Sequence, residues 1–467
     1  MKPSAQAFGF RIILVTLAVG CALGLVHSAS VLTFHVPFDP NEGWNAYFAQ
    51  MAIATGSPYP AERSFLVNNY PPLSFFLIGG LTRIFGDAIV VGRVVSFLSL
   101  GVVAFGIAKT ASQSGCSKEQ SAFAGLLFIA CLLLTSDYVG MDDPQLLGHA
   151  IAVWGMMVAL RTPRTSRSMV ISALLLAIAF FVKHNLVLLP LSLTAWMLLV
   201  DRRRAVTFIA SGLIFVLIGI GAFRDAFATG FFHQIDSART YALDNTRNAV
   251  LGWLPWAAVP ISGALLLFWI GRRDQFAVFA AIYAAVATVG GLAFSGGAGV
   301  DANVLFDADI ALALCASLLF DRLESRIWAT VSAALYLIPL ALLLCNSDQD
   351  WLSRLYWLEP MAEDRRIASQ EIMLLRSKPD PAVCEMLSLC YWAGRSPQVD
   401  VFNMDQRYRT GAQSDTGLIR LISEKKFSTI QLESLKPFPL PESVERAVLL
   451  NYSVVQSDGD RVFLTPR

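Results

Sequence analysis

Long apolar segments recur along most of this chain, and they constrain its fold more than any other feature. The first runs from residue 11 to residue 34 and exceeds the roughly 20 residues that a helix needs to cross a bilayer. It has no obvious small-residue cleavage site, so we interpret it as a retained helix rather than a signal peptide. Hydrophobic residues fill 55% of the 467 positions and charged residues 15%, which excludes an ordinary soluble protein. The sequence predicts a polytopic membrane protein.

Length and apolarity predict about eleven spanning helices, at residues 11–34, 88–109, 120–136, 143–160, 169–182, 186–200, 205–223, 251–270, 275–295, 304–320 and 327–345. With a cytoplasmic N-terminus, the loops that carry most of the basic residues between these helices all fall on the cytoplasmic side. These are Lys109, Lys118, Arg161, Arg164, Arg167, Arg202, Arg203, Arg204, Arg272, Arg273, Arg322 and Arg326. The bias predicts a multi-pass protein of the inner (plasma) membrane with an extracytoplasmic C-terminus.

The apolar segment 71–86 is left out of this count. It opens with Pro71 and Pro72, contains Arg83, and as a span would invert every later loop. We interpret it as an interfacial or re-entrant helix within a long outer loop, 35–87. The same loop parity divides 169–200 into two short spans, with Lys183 and His184 in the outer turn between them.

Residues 346–467 differ from the rest in composition and are predicted to form a separate extracytoplasmic domain. They are rich in charge and alternate short β-like runs with helix-like stretches, which indicates a small α/β fold. The predicted fold is therefore an all-α membrane domain, 1–345, followed by this domain. Cys384 and Cys390 lie in it, either as a disulfide or as two small buried thiols.

Two acidic helix starts lie on the predicted outer face, Asp39-Pro40-Asn41-Glu42 and Asp142-Asp143-Pro144. A carboxylate near the hydrocarbon region is costly unless a partner, a substrate or a cavity compensates it, so these residues are candidates for a functional site. Structural roles are also open. Asp39 and Asp143 have the place of helix N-caps before a proline, and Glu42 has that of a capping-box acid.

The stretches FDPNEGWNAYFAQMAIATGSPYP and NNYPPLSFFLIGGLTRIFGDAIVVGRVVSFLSL resemble the first outer loop and second helix of GT-C membrane glycosyltransferases. The resemblance is closest to glycosyltransferase family 39, the group of protein O-mannosyltransferases and bacterial aminoarabinose transferases. The later Asp-Pro turn and the GAGVDAN turn extend it over roughly the first two thirds of the chain.

This resemblance implies an enzyme that transfers a sugar from a polyprenyl-phosphate donor to a lipid or glycan acceptor at the outer membrane face. A carboxylate base takes the acceptor proton, and direct displacement inverts the anomeric centre. Catalytic roles are implied for Asp39, Glu42 and Asp143, with Asp39 or Glu42 as the base. Family members typically show adjacent Asp and Glu at the loop start, whereas Asn41-Glu42 occupies that register here.

A second departure is Tyr70, which stands before Pro71 where relatives often have a lysine that meets the lipid phosphate. Another cation must then neutralise the phosphate. The outer loops offer Arg63, Lys183, His184, His233, Arg239 and Arg247, and Lys183 is the first choice because its turn is short. Tyr70, Asp142 and Asn303, at the end of the glycine-rich turn, complete the predicted substrate-binding set.

No cofactor is predicted to be required. Two neighbouring acids are able to bind a divalent cation, but nothing in the sequence demands one. The net charge of +1 gives no reason to expect a nucleic-acid partner. The competing function is a transporter or a flippase for lipid-linked sugars, which would favour internal repeats and charges in mid-span.

Overall fold

The structure is a computed structural model that describes residues 5–62, 64–135, 138–227, 229–323, 326–345, 359–458 and 461–467. Helices dominate its first part, because the apolar runs satisfy their backbone groups internally. They are α1 Ala5–Val31, α2 Pro40–Thr55, α3 Leu73–Phe85, α4 Ala88–Gln113, α5 Lys118–Leu133, α6 Gln145–Ala159, α7 Ser166–Val182, α8 Leu188–Val200, α9 Arg202–Phe227, α10 Thr229–Ile235, α11 Leu243–Ile270, α12 Gln275–Phe294, α13 Phe306–Arg322, α14 Arg326–Leu335 and α15 Ile338–Cys345.

Within the described part of the chain, six helical segments are long and apolar enough to cross a membrane. They are Phe8–Val31, Ala88–Gln113, Arg202–Phe227, Leu243–Ile270, Gln275–Phe294 and Ala302–Arg322. The last of these is wholly buried and lies at the centre of the bundle, whereas α9 is almost entirely exposed on its flank. The mostly helical architecture is confirmed. The number eleven stays a prediction, because α6, α7 and α8 are apolar but only 15, 17 and 13 residues long.

The predicted outer loop contains a helical hairpin made of α2 and α3. Gly56 ends α2 in a left-handed conformation, with φ of 79°. Gly79 of α3 lies so close to the Ala49 carbonyl of α2 that a Cβ at this position would collide with it. The apolar segment 71–86 thus contains the helix α3, Leu73–Phe85. The interfacial placement of this helix stays a prediction.

The described residues of the C-terminal part form a small sheet and the helices α16 Glu359–Ser377, α17 Leu387–Trp392, α18 Val401–Arg409, α19 Thr416–Ser423 and α20 Glu442–Asn451. The strands are β1 Ala382–Cys384, β2 Thr429–Leu432, β3 Tyr452–Asp458 and β4 Arg461–Pro466, in the order β1-β2-β4-β3. β1 runs parallel to β2, and the other two pairs are antiparallel. Cys384 and Cys390 form a disulfide.

This C-terminal part, residues 359–458 and 461–467, which we call the terminal domain, packs directly on the α2–α3 hairpin. Gly43 of α2 has no side chain, and a Cβ there would collide with the backbone of Leu387 and Ser388. The Trp44 indole donates to Asp400 Oδ2 at 3.0 Å, and the Tyr47 hydroxyl donates to the Arg395 carbonyl at 2.8 Å. The start of α2, which carries the first acidic motif, therefore lies beneath residues of the terminal domain.

Candidate functional site

Asp39 lies at the start of α2 and faces a cavity. Its Oδ1 accepts the Asn41 N–H at 2.7 Å and caps the helix, as the Asp-Pro pattern predicts. The cavity has a volume of about 220 Å³, and we call it the Asp39 cavity. It is lined by Asp39, Pro40, Asn41, Trp44, Asn69, Tyr70, Arg239, Gly299, Asp301, Glu385, Leu387, Asp400, Val401, Phe402 and Asn403.

The surroundings of Asp39 raise the pKa of its carboxyl group. Burial raises its pKa to about 6, the Asn41 N–H opposes that rise, and the nearby charge of Asp301 adds to it. A carboxyl group with a pKa near the operating pH is able both to take a proton and to release it.

Glu42 has the opposite surroundings. Its side chain and that of Arg93 on α4 are completely buried, and they form a bidentate pair with both N–O distances 2.6 Å. The Phe38 and Asp142 backbone N–H groups donate to the two remaining acceptor sites at 3.1 and 3.3 Å. Arg93 also donates to the carbonyls of Phe34 and Val36. Fixed donors thus occupy both oxygens of Glu42.

Asp142 is buried against this pair but does not line the Asp39 cavity. Its carbonyl accepts from the Asn45 side chain at 2.7 Å. Its Oδ2 has no hydrogen-bond partner among the residues that the structure describes. Burial, with the neighbouring charges of Glu42 and Asp143, raises its pKa well above the usual range and so favours the neutral acid.

Asp143 and Lys183 form a second buried ion pair. The Lys183 ammonium lies 3.0 and 3.3 Å from the two carboxylate oxygens, and the Gln145 N–H donates to Oδ1 at 2.7 Å. Burial alone would lower the Lys183 pKa, but Asp143 and Tyr70 raise it above its ordinary value. The ammonium also lies 3.6 Å from the centre of the Tyr70 ring. Tyr70 in turn lines the Asp39 cavity.

The other predicted binding residues lie in different places. His184 is largely buried beside Tyr70, and burial together with the charges of Lys183 and Arg239 lowers its pKa to about 4, so the ring is neutral. Asn303 is buried and donates to the Gln145 side chain at 3.3 Å, and it does not line the Asp39 cavity. Arg63 lies outside the described residues.

Arg239 is the one cationic side chain among the described residues that line the Asp39 cavity. It donates to the Ala298 carbonyl at 2.9 Å and to Asn403 Oδ1 at 3.2 Å, and its Nε has no partner in the described structure. It is one of three candidate cations in a single predicted loop, and no local sequence pattern distinguishes it from His233 and Arg247. Its position depends on residues about 60 and 160 positions further along the chain.

Asp301 also gains a position that the sequence did not assign to it. It lies within the glycine-rich turn, lines the Asp39 cavity, and lines a second cavity of about 780 Å³, which we call the Trp256 cavity. Polar and aromatic side chains share that lining, including Thr135, Asn245, Asn248, Trp253, Trp256 and Ser295. Gly299 belongs to both linings as well, so the glycine-rich turn separates two adjacent chambers.

Comparison with known proteins agrees with this architecture. Residues 69–223 match the family model described as dolichyl-phosphate-mannose-protein mannosyltransferase. The fold is similar to that of ArnT from Cupriavidus metallidurans, in the apo state and in a structure bound to undecaprenyl phosphate. Each comparison has a TM-score of 0.64 and 15% sequence identity and covers 98% of both chains. No curated protein matches. The predicted resemblance is therefore confirmed at the level of fold and of one family model: the fold is similar to that of ArnT over 98% of the chain, and residues 69–223 match the mannosyltransferase model.

Proposed function

We propose that this protein is a glycosyltransferase that moves a sugar from a polyprenyl-phosphate donor to an acceptor at the extracytoplasmic face of the inner membrane. The observation that carries the proposal is the Asp39 cavity, where a carboxyl group with a pKa of about 6 shares a wall with a guanidinium. The similarity of fold to a protein bound to undecaprenyl phosphate supports a polyprenyl-linked donor. The basic residues in the predicted inner loops support the orientation.

The reaction needs one base and a good leaving group. Asp39 takes the proton of the acceptor hydroxyl as its oxygen forms a bond to the anomeric carbon of the sugar. The bond from that carbon to the phosphate oxygen breaks, and its electron pair leaves with the polyprenyl phosphate. The attack comes from the face opposite the phosphate, so the anomeric configuration is inverted. The phosphate leaves without protonation, and a single carboxylate is enough.

Asp39 is chosen over Glu42 as the base because the two carboxylates differ in how many of their hydrogen-bond acceptor sites are already occupied. Four donors hold Glu42, two from Arg93 and two from the backbone, in a site without solvent exposure. Asp39 uses one oxygen as a cap and has a cavity beside it. We therefore assign Glu42 to positioning, since its ion pair fixes the turn from which Asp39 projects.

The phosphate is assigned to Arg239 rather than to Lys183. Lys183 is buried and already neutralises Asp143, so binding a phosphate would require that pair to open. Arg239 lines the cavity and keeps N–H donors beyond the two that it uses. Asp143 then acts through Lys183 and Tyr70, as support for the wall of the cavity.

The acceptor is assigned to the Trp256 cavity, because this chamber adjoins the Asp39 cavity at Asp301. Its indoles and amide side chains suit a ligand with hydroxyl groups and an apolar part, as a lipid or a glycan acceptor has. The nature of the donor sugar does not follow from these residues. A transporter is less well supported, because the proposed base, Asp39, and the cation, Arg239, line the same cavity, as a transfer reaction requires.

The proposal is tested by mass spectrometry of membrane lipids and surface glycans from cells with and without the gene. We expect a sugar-modified lipid or glycan to disappear when the gene is absent and to return when it is restored. Membranes that contain the protein should also release polyprenyl phosphate from the lipid-linked sugar. An unchanged profile together with no release would contradict the assignment.

A further inference from the structure

Arg239 lies on a short connection between α10 and α11 that has no helix or strand of its own. Two other parts of the molecule hold this connection. The glycine-rich turn pairs with it on one side, where Ala298 N donates to the Thr240 carbonyl at 2.9 Å and Ala242 N donates to the Gly296 carbonyl at 2.8 Å. Helix α18 of the terminal domain holds it on the other side.

The contacts with α18 involve both the backbone and the side chain of the connection. Gln406 Oε1 accepts from the Thr240 N–H at 3.1 Å and from its hydroxyl at 2.8 Å. Asn403 Oδ1 accepts from the Arg239 guanidinium at 3.2 Å. The Phe402 ring lies 5.3 Å from the centre of that guanidinium. Helix α18 therefore supplies two contacts to the Arg239 guanidinium and two hydrogen bonds to the neighbouring Thr240.

The orientation of the Asn403 amide is fixed by its own neighbours. Its Nδ2 donates to Asp400 Oδ2 at 2.7 Å, which leaves Oδ1 to face Arg239. Asp400 caps α18 through the Asn403 N–H and accepts from the Trp44 indole of α2. A continuous chain of hydrogen bonds thus links helix α2, which begins beside Asp39, to the Arg239 guanidinium that lines the same cavity.

Gly299 allows the glycine-rich turn to approach Phe402 and Arg239 closely. It has a φ of +65°, and a Cβ at this position would collide with the Phe402 ring and crowd Arg239. Ala298 next to it accepts from Arg239 at 2.9 Å. The guanidinium is thereby held between the glycine-rich turn and α18, with its Nε and further N–H groups not used by described protein acceptors.

We propose that the terminal domain completes the phosphate-binding part of the site, with Asn403 as the positioning residue that aims Arg239 at the phosphate of a polyprenyl phosphate. This inference rests on the proposed function, in which Arg239 binds that phosphate. The membrane domain supplies the base and the terminal domain aims the cation, so neither part forms the donor site alone.

The test measures binding of undecaprenyl phosphate to the purified full-length protein in nanodiscs, with undecaprenol as the probe that lacks the phosphate. Arg239→Ala should weaken the affinity for undecaprenyl phosphate about ten- to a hundredfold, as expected for lost charge-assisted bonds. Asn403→Leu keeps the size of the side chain but removes the acceptor, and should weaken it about fivefold. Neither variant should change the affinity for undecaprenol.

A double variant separates positioning from a general effect on the fold. Asn403→Leu should add no further loss when Arg239 is already alanine, because the aimed group is then absent. Gln406→Leu should reproduce a smaller loss specific to the phosphate, and it provides the test if Asn403→Leu is not recovered folded. Arg420→Ala, an exposed change on α19 of the same domain, is the control and should bind as the wild type does.

The outcomes discriminate between the two proposals. Wild-type affinity in Arg239→Ala would overturn the assignment of the phosphate to Arg239. A loss in Arg239→Ala with wild-type affinity in both Asn403→Leu and Gln406→Leu would overturn the positioning role alone. Losses that add in the double variant, or that affect undecaprenol equally, would also overturn it, because they would show a structural effect that does not act through the guanidinium.

Discussion

Asp39 and Glu42 stand three residues apart at the start of one helix, yet their carboxylates have opposite surroundings. Glu42 is fully buried, and Arg93 and two backbone N–H groups fill its acceptor sites. Asp39 is half-buried, uses one oxygen as a cap, and faces a cavity beside Arg239. A carboxylate closed by fixed donors belongs to the framework, whereas one with an open side and a raised pKa is able to exchange a proton. The acidic motif provides one of each.

Loss of the buried ion pair between Glu42 and Arg93 should have the largest effect. Arg93→Met leaves the Glu42 carboxylate buried without its partner, which costs about 3–5 kcal/mol of stability. We expect a large drop in the thermal unfolding temperature of the detergent-solubilised protein, or loss of folded protein from the membrane. Arg446→Met, which removes an exposed ion pair with Glu442, is the control and should unfold as the wild type does. Equal stability of the two variants would contradict the framework role of Glu42.

The open carboxylate should reveal itself in the pH dependence of the reaction. A base must be deprotonated, and the pKa of Asp39 is raised to about 6. The rate of sugar transfer in membranes with their natural donor and acceptor should therefore fall below about pH 6, by about tenfold per pH unit, and level off above it. A rate that stays constant well below pH 6 would show that a group with a lower pKa, or no base at all, acts in the reaction.

Asp142 extends the comparison, because it is buried beside Glu42 and that burial raises its pKa well above the usual range. The unfolded chain releases this proton in the ordinary Asp range, whereas the folded protein holds it to a higher pH, so this residue makes the fold less stable as the pH rises through that interval. Asp142→Asn removes that penalty with little change in shape. The variant should be at least as stable as the wild type at neutral pH, with an advantage that grows with pH in thermal unfolding scans. A large loss of stability would mean that Asp142 is ionised and paired.

Removal of the Asp301 charge should have the smallest effect, which acts through the pKa of Asp39. Its negative charge raises the pKa of Asp39, so Asp301→Asn should move the acidic limb of the rate profile to lower pH. The charges that also face Asp39, those of Glu42, Asp143 and Arg239, are unchanged in this variant. Asp225→Asn, in the exposed last turn of α9, is the matched control and should leave the limb in place. An unshifted limb in Asp301→Asn would remove Asp301 from the surroundings of the base.

Much of the fold follows from local patterns in the sequence. Apolar length predicts a helical membrane protein, and the change in composition after residue 345 is accompanied in the structure by a small four-stranded sheet. The Asp-Pro pattern predicts the cap at Asp39, which the structure contains. The short helices α6, α7 and α8 show where local patterns become insufficient, since length alone does not decide whether they span.

The site was harder to predict because it depends on partners far away in the chain. The role of Glu42 is decided by Arg93 on another helix, and Lys183 is occupied by Asp143, forty residues earlier. Arg239 owes its position to Asn403, 164 residues later. No local signal separates these residues from other charged residues in outer loops, since burial and pairing arise only when the helices and the terminal domain assemble.

The central claim is that Asp39 is the working base, and it is tested most directly with Asp39→Asn in cells that lack the chromosomal gene. The substitution keeps the cap oxygen for Asn41 but removes the proton acceptor, and general-base catalysis typically contributes about 10²- to 10⁴-fold. At matched levels of folded protein in the membrane, lipids and glycans are compared by mass spectrometry. We predict that the variant gives the profile of cells without the gene. Restoration of the wild-type profile by Asp39→Asn would contradict the account.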